Sequence, residues 1–169
     1  MLQGGVWSAE KAASAQPIEI GKGRMVREGR DAAILSFGAR LEECVKTAAL
    51  LEAEGIDISV ADARFAKPLD EALITQLIET HPLLLTVEEG ADGGFGAHVL
   101  TFAARAGLLT DACRVLPLTL PDSYQAHAAP HAQYAEAGLN AEQIVDAIRQ
   151  HVRARPAAEN TSRKRTALA

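Results

Sequence analysis

The sequence predicts an α/β fold with three layers, α/β/α, around a mixed, mostly parallel five-stranded sheet that has one antiparallel strand. Three observations predict it. Apolar runs of strand length alternate with segments of helical period. The apolar material is aliphatic, because hydrophobic residues make up 48% of the chain and aromatics only 4%. That is the composition of a core built on buried parallel strands. The 169 residues supply one domain's worth of core, with room for tails.

Residues 1–16 are small and polar and read as a flexible lead-in, with Trp7, the only Trp, as a candidate anchor. Residues 17–153 carry the folded domain. Residues 154–169, with the basic cluster Arg163-Lys164-Arg165, read as a disordered tail.

Within the domain, Arg24–Arg27 alternates as a short strand, and Glu28-Gly29-Arg30-Asp31 is a turn signal. So short a turn joins antiparallel neighbours or strands at sheet edges, hence the single antiparallel strand. Ala32–Phe37 is a buried strand ended by Gly38. A helix follows, with an apolar stripe of Leu41, Cys44, Val45, Ala48, Leu50 and Leu51 and with Gly55 as its stop. Residues 56–61 are the next strand. Asp70 is the N-cap of a helix whose stripe is Leu73, Ile74, Leu77 and Ile78, and His81-Pro82 ends it. Residues 83–87 form a continuous apolar strand, and residues 95–106 a helix. Arg114–Leu118 is the last strand. A long irregular connection leads to a final helix capped by Asn140, with Ile144, Val145, Ile148 and Val152 on its stripe. Strands alternating with helices imply right-handed crossovers.

Composition excludes several classes of function. A net charge of −5 offers no general attraction for nucleic acid or anionic lipid. No apolar run reaches the roughly 20 residues of a membrane span, and the N-terminus has no basic region followed by an apolar stretch, so a cytoplasmic location is expected. Cys44 and Cys113 are too few for a disulfide framework. There is no P-loop, dinucleotide fingerprint, nucleophile elbow or zinc spacing. His127 and His131 are four apart, but Pro130 lies between them and argues against a shared helix face.

Three stretches carry the unusual residues. Glu88 and Glu89 end a buried strand, and the turn through Gly90, Gly93 and Gly94 opens a helix at Phe95. Ligands of open α/β sheets bind at such places, and a helix N-terminus offers N–H groups to an anion. The same turn also reads as a tight strand-to-helix link whose glycines supply backbone freedom. Asp62, Arg64 and Phe65 sit at another strand's end, where Asp62 and Arg64 pair with each other or reach across an interface. Tyr124 and Tyr134 lie on the long connection, which needs a packing partner.

These stretches resemble the C-terminal domain of 1-deoxy-D-xylulose-5-phosphate synthase, in the transketolase superfamily. The matching pieces include Ile20-Gly21-Lys22-Gly23, Leu35-Ser36-Phe37-Gly38, the run from Val60 through Asp62-Ala63-Arg64-Phe65-Ala66-Lys67-Pro68 to Asp70, Thr86-Val87-Glu88-Glu89-Gly90, Gly93-Gly94-Phe95-Gly96, Leu120-Pro121-Asp122 and Tyr134-Ala135-Glu136-Ala137-Gly138-Leu139. They cover residues 17–152. The resemblance implies the same α/β/α fold and a context. The full enzyme condenses pyruvate with glyceraldehyde 3-phosphate for isoprenoid precursors, uses thiamine diphosphate and Mg²⁺, and is a homodimer. Its cofactor motif lies in the preceding domains, and no G-D-G run with a downstream Asn occurs here. The resemblance therefore implies no catalytic, cofactor-binding or metal-binding residue in this chain. It implies a dimerisation and packing domain, with regulation as a second role, whose partner is a second copy or the remaining domains. The interface or loop candidates are Asp62, Arg64, Phe65, Glu88, Glu89, Gly93, Gly94, Phe95, Tyr124 and Tyr134. The alternative is a stand-alone module binding a small anion or nucleotide where the 36–40 and 88–94 loops approach.

Overall fold

The computed structural model describes residues 17–152. The expected lead-in with Trp7 and the basic tail lie outside the described residues. Among the described residues five strands and five helices follow in the order β1 (Arg24–Arg27), β2 (Ala32–Phe37), α1 (Leu41–Glu52), β3 (Ile58–Asp62), α2 (Glu71–Thr80), β4 (Leu83–Glu88), α3 (Phe95–Arg105), β5 (Arg114–Leu118), α4 (Pro130–Glu136) and α5 (Ala141–Arg149). The sheet order is β1-β3-β2-β4-β5. All pairings are parallel except β1 with β3.

Alternation along each strand sends side chains to two aliphatic layers. Ile34, Val60, Leu85 and Val87 meet Cys44, Leu51, Ile144 and Ile148 of α1 and α5 on one face. Leu35, Ala61 and Leu84 meet Ile74, Leu77, Phe95 and Val99 of α2 and α3 on the other. The predicted three layers and the single antiparallel strand are both present.

The tight turn after β1 does not join neighbours. β1 pairs with β3, so residues 28–31 step across the start of β3 to reach β2. Arg30 and Asp31 both donate their backbone N–H to the Asp57 carbonyl, at 2.9 and 2.8 Å. Asp57 N–H in turn donates to the Asp31 carboxylate at 2.8 Å. Gly29 lies so close to the Ile58 backbone that any Cβ would collide with it. The Ser59 hydroxyl accepts from Gly29 N–H at 2.9 Å and lies 2.9 Å from His81 Nε2, which pins the crossing from below.

Three expectations need correction. On α1 the buried stripe is Cys44, Thr47, Ala48 and Leu51, while Val45 and Leu50 face outward. Thr47 takes the inward place because its hydroxyl donates within the helix to the Glu43 carbonyl at 2.9 Å. Asn140 occupies the N-cap position of α5 but makes no capping bond. Its amide donates instead to the His131 carbonyl at 3.1 Å, and Glu43 Oε2 accepts from Ala141 N–H at 3.0 Å. The connection read as irregular contains α4, which begins at Pro130. A proline in the first turn loses no hydrogen bond there and starts the helix rather than breaking it. His127 therefore lies outside the helix that holds His131. Among the described residues no helix is long and apolar enough to cross a membrane.

Candidate functional site

The chain leaves β2 through α1 toward one side of the sheet and leaves β4 through α3 toward the other. The C-terminal ends of β2 and β4 are adjacent, so the two departing loops diverge there and open the crevice where such sheets bind ligands. Glu88 is the last residue of β4. It is 3% exposed. Its two carboxylate oxygens accept from Phe95 N–H at 2.9 Å and Gly96 N–H at 2.8 Å. The anion that the α3 N-terminus attracts is thus the chain's own side chain. A Cβ on Gly94 would collide with Glu88 Oε2, so the glycine makes room for the carboxylate.

Glu89 points the other way. Its Oε1 lies 3.0 Å from Arg40 Nε, close enough for an ion pair although the N–H is not aligned on the oxygen. The Arg40 guanidinium lies over the Tyr134 ring, 3.8 Å from its centroid. A hydrogen bond to the Glu89 carboxylate, with burial adding to it, raises the Tyr134 phenol above its ordinary range. One residue from each of three segments meets here: the β2–α1 loop, the β4–α3 loop and α4. Phe95 is 2% exposed and stacks on Phe37 with centroids 5.0 Å apart. It belongs to the core, not to an exposed contact.

The second stretch forms its own cluster. Asp62 is 3.1 Å from Arg24 Nε and 3.9 Å from Arg64 Nε, and it accepts from Arg64 N–H at 3.1 Å. Arg64 has φ +58, the one non-glycine residue with positive φ among those described, and its backbone is strained to turn the chain toward α2. Phe65 is half-buried beside Leu35, Leu69, Leu73, Ile74 and Phe95. Asp70 caps α2 through Leu73 N–H at 3.1 Å and also accepts from Gly23 N–H at 3.0 Å. Gly93 and Tyr124 are exposed. The candidates therefore divide into a β2/β4 group (Glu88, Glu89, Gly94 and Phe95), which Tyr134 joins, a separate β3-end group (Asp62, Arg64 and Phe65), and the exposed Gly93 and Tyr124. The candidate list missed Arg40, although its place just past Phe37-Gly38 at a strand's end was a signal of the same kind as that of Glu89.

The sequence profile of the transketolase C-terminal domain matches residues 21–144. The chain belongs to the transketolase C-terminal domain family. Among solved structures it is similar to a split gene transketolase, an inactive β4 tetramer, with a TM-score of 0.70 and 28% identity over 79% of this chain and 43% of that one. The transketolase of Campylobacter jejuni subsp. jejuni shares the fold at a TM-score of 0.55 and 14% identity, over 77% of this chain and 18% of that one. The 2-oxoglutarate:ferredoxin oxidoreductase of Magnetococcus marinus does so at 0.52 and 16% identity, over 78% and 19%. This transketolase C-terminal domain thus spans less than half the length of these relatives. Among the described residues no group of three or more His, Cys, Asp or Glu side chains could hold a metal ion. These residues do not fit a metal-bound thiamine diphosphate.

Proposed function

We propose that this transketolase C-terminal domain, residues 17–153, acts in assembly as the C-terminal domain of a 1-deoxy-D-xylulose-5-phosphate synthase-like enzyme, located in the cytoplasm. The observation that carries the reading is where the charged side chains at the strand ends go. Glu88 caps α3, Glu89 and Arg40 pair beside Tyr134, and Asp62 pairs with Arg24. These groups hold the fold together and leave no evident acid–base pair for chemistry. The runs 62–70 and 88–96 favour the synthase over other members of the superfamily. The condensation of pyruvate with glyceraldehyde 3-phosphate, with thiamine diphosphate and Mg²⁺, belongs to the remaining domains. Arg64, Phe65, Gly93 and Tyr124, each half-buried or exposed, are the proposed contacts with those domains or with a second copy. An anion-binding module is the poorer reading, because Glu88 already occupies the α3 N-terminus.

Sedimentation equilibrium of the purified chain, with and without thiamine diphosphate and Mg²⁺, tests this. A dimer or larger assembly indifferent to the cofactor is expected. A monomer that binds the cofactor saturably overturns the reading.

A further inference from the structure

From Thr119 to Gly138 no residue is buried; β5 before it is partly buried, and Leu139 and Asn140 after it are buried. α4 contributes no buried side chain at all. The segment is nonetheless ordered by discrete ties. Leu120 N–H donates to the Gly90 carbonyl at 2.9 Å, and Thr119 Oγ1 donates to Asp92 at 3.1 Å. Within the segment Gln125 Nε2 donates to the Gln133 carbonyl at 2.9 Å, and Gln133 Nε2 returns a bond to the Ala126 carbonyl at 3.0 Å. These reciprocal bonds make the loop and α4 one piece. That piece is latched to the sheet at Tyr134, against Arg40 and Glu89. Of the segment's own apolar side chains only Leu120, Tyr134 and Ala137 pack against the core, each partly buried, and Leu41, Leu116 and Leu118 beside them are likewise only partly buried.

We infer that residues 119–138 form a strap across the C-terminal end of the sheet, closed by the Arg40–Glu89–Tyr134 clasp, and that the strap lifts as a unit when the clasp opens. A segment with few buried apolar contacts sits at the low end of local stability, so its opening is governed by its few polar ties. Lifting it bares the β2/β4 crevice and the leucines below. The inference stands whether or not the chain assembles as proposed above.

Hydrogen–deuterium exchange of the full chain tests it, with Tyr134→Phe, which keeps the ring over Arg40 and loses the hydroxyl, and Glu89→Gln, which loses the ion pair. The amides of 121–137 should exchange together, and each variant should speed them by about tenfold or more, as expected for losing one hydrogen bond to a charged group. The core amides of β2, β4 and α1 should keep their rates. Unchanged exchange in 121–137, or an acceleration shared equally by the core strands, overturns the strap.

Discussion

At the scale of the residue, Glu88 shows why a buried carboxylate at a strand's end does not by itself mark a reactive group. Keeping it out of water is costly unless both oxygens find donors, and the first N–H groups of α3 supply them. Gly94 is fitted to the same carboxylate. Glu88→Ala should cost about 3 kcal/mol, the loss of two bonds to a charged acceptor. Gly94→Ala should also destabilise, because its methyl group collides with Glu88. If the carboxylate is what both changes act on, the double variant costs measurably less than the sum of the two in urea unfolding. Strict additivity would mean Gly94 serves some other purpose. The sequence showed that residues 88–96 were special, since two acids followed by several glycines is not a loop of average composition. It did not show whether the acids faced a ligand or the chain's own backbone. That depends on which way each side chain leaves the end of β4. Successive residues at a strand's end point to opposite faces of the sheet, so Glu88 turns to the α3 side and Glu89 to the side of Arg40 and α1.

At the scale of the element, the strands and the three long helices were readable from period alone, because each buries a continuous stripe or face. The failures lie at element ends, on the weakly buried α4, and in which residues of α1 face inward. No side chain of α4 is fully buried and only Tyr134 packs against the core, so it leaves no hydrophobic period to read, and only Pro130 marked its start. Val45 appeared to belong to α1's stripe because a β-branched apolar residue at that spacing usually faces inward, but Thr47 takes that side. The N-terminus of α5 is tied to α1 over a long sequence separation, which no local rule finds. Burial pushes the Glu43 carboxyl upward, yet Lys46 and the Ala141 N–H outweigh burial and hold it below its usual value. Glu43→Ala should therefore cost about 1 kcal/mol, the ordinary value of a cap, and should speed amide exchange in the first turn of α5. Asn140→Ala should leave that turn's exchange unchanged and loosen the junction with α4 instead. If Asn140→Ala frays α5 and Glu43→Ala does not, the cap has been misassigned.

At the scale of the whole molecule, two apolar layers flank one sheet, and the thiols are buried within them. Burial pushes the Cys44 thiol from its ordinary value of 9.0 up to about 12. Burial also raises Cys113. In the unfolded chain these groups ionise near their ordinary value, while the folded chain keeps its protons. Across that interval the folded state binds more protons than the unfolded state, so stability falls as pH rises from about 9 toward 12. Urea midpoints measured at pH 8 and pH 10.5 should show this loss, and Cys44→Ala should reduce it. An equal alkaline loss in Cys44→Ala would place the effect elsewhere. The same layering explains why the fold class was legible in the sequence, because aliphatic composition and alternating period are properties of many elements at once rather than of one site.

The pairing of β5 carries a consequence for association. Thr86 stands opposite Pro117 on that outer strand, and a proline has no N–H to offer an incoming strand. At the opposite margin, β1 is only four residues long and its register shifts between Met25 and Arg27, which bends its outer rim away from a regular ladder. Both rims of the sheet are therefore poor templates for strand addition, the route by which sheets fuse into larger sheets or fibrils. Two copies, or this domain and a larger partner, have to meet through helices and loops, where side chains rather than backbone ladders decide who fits.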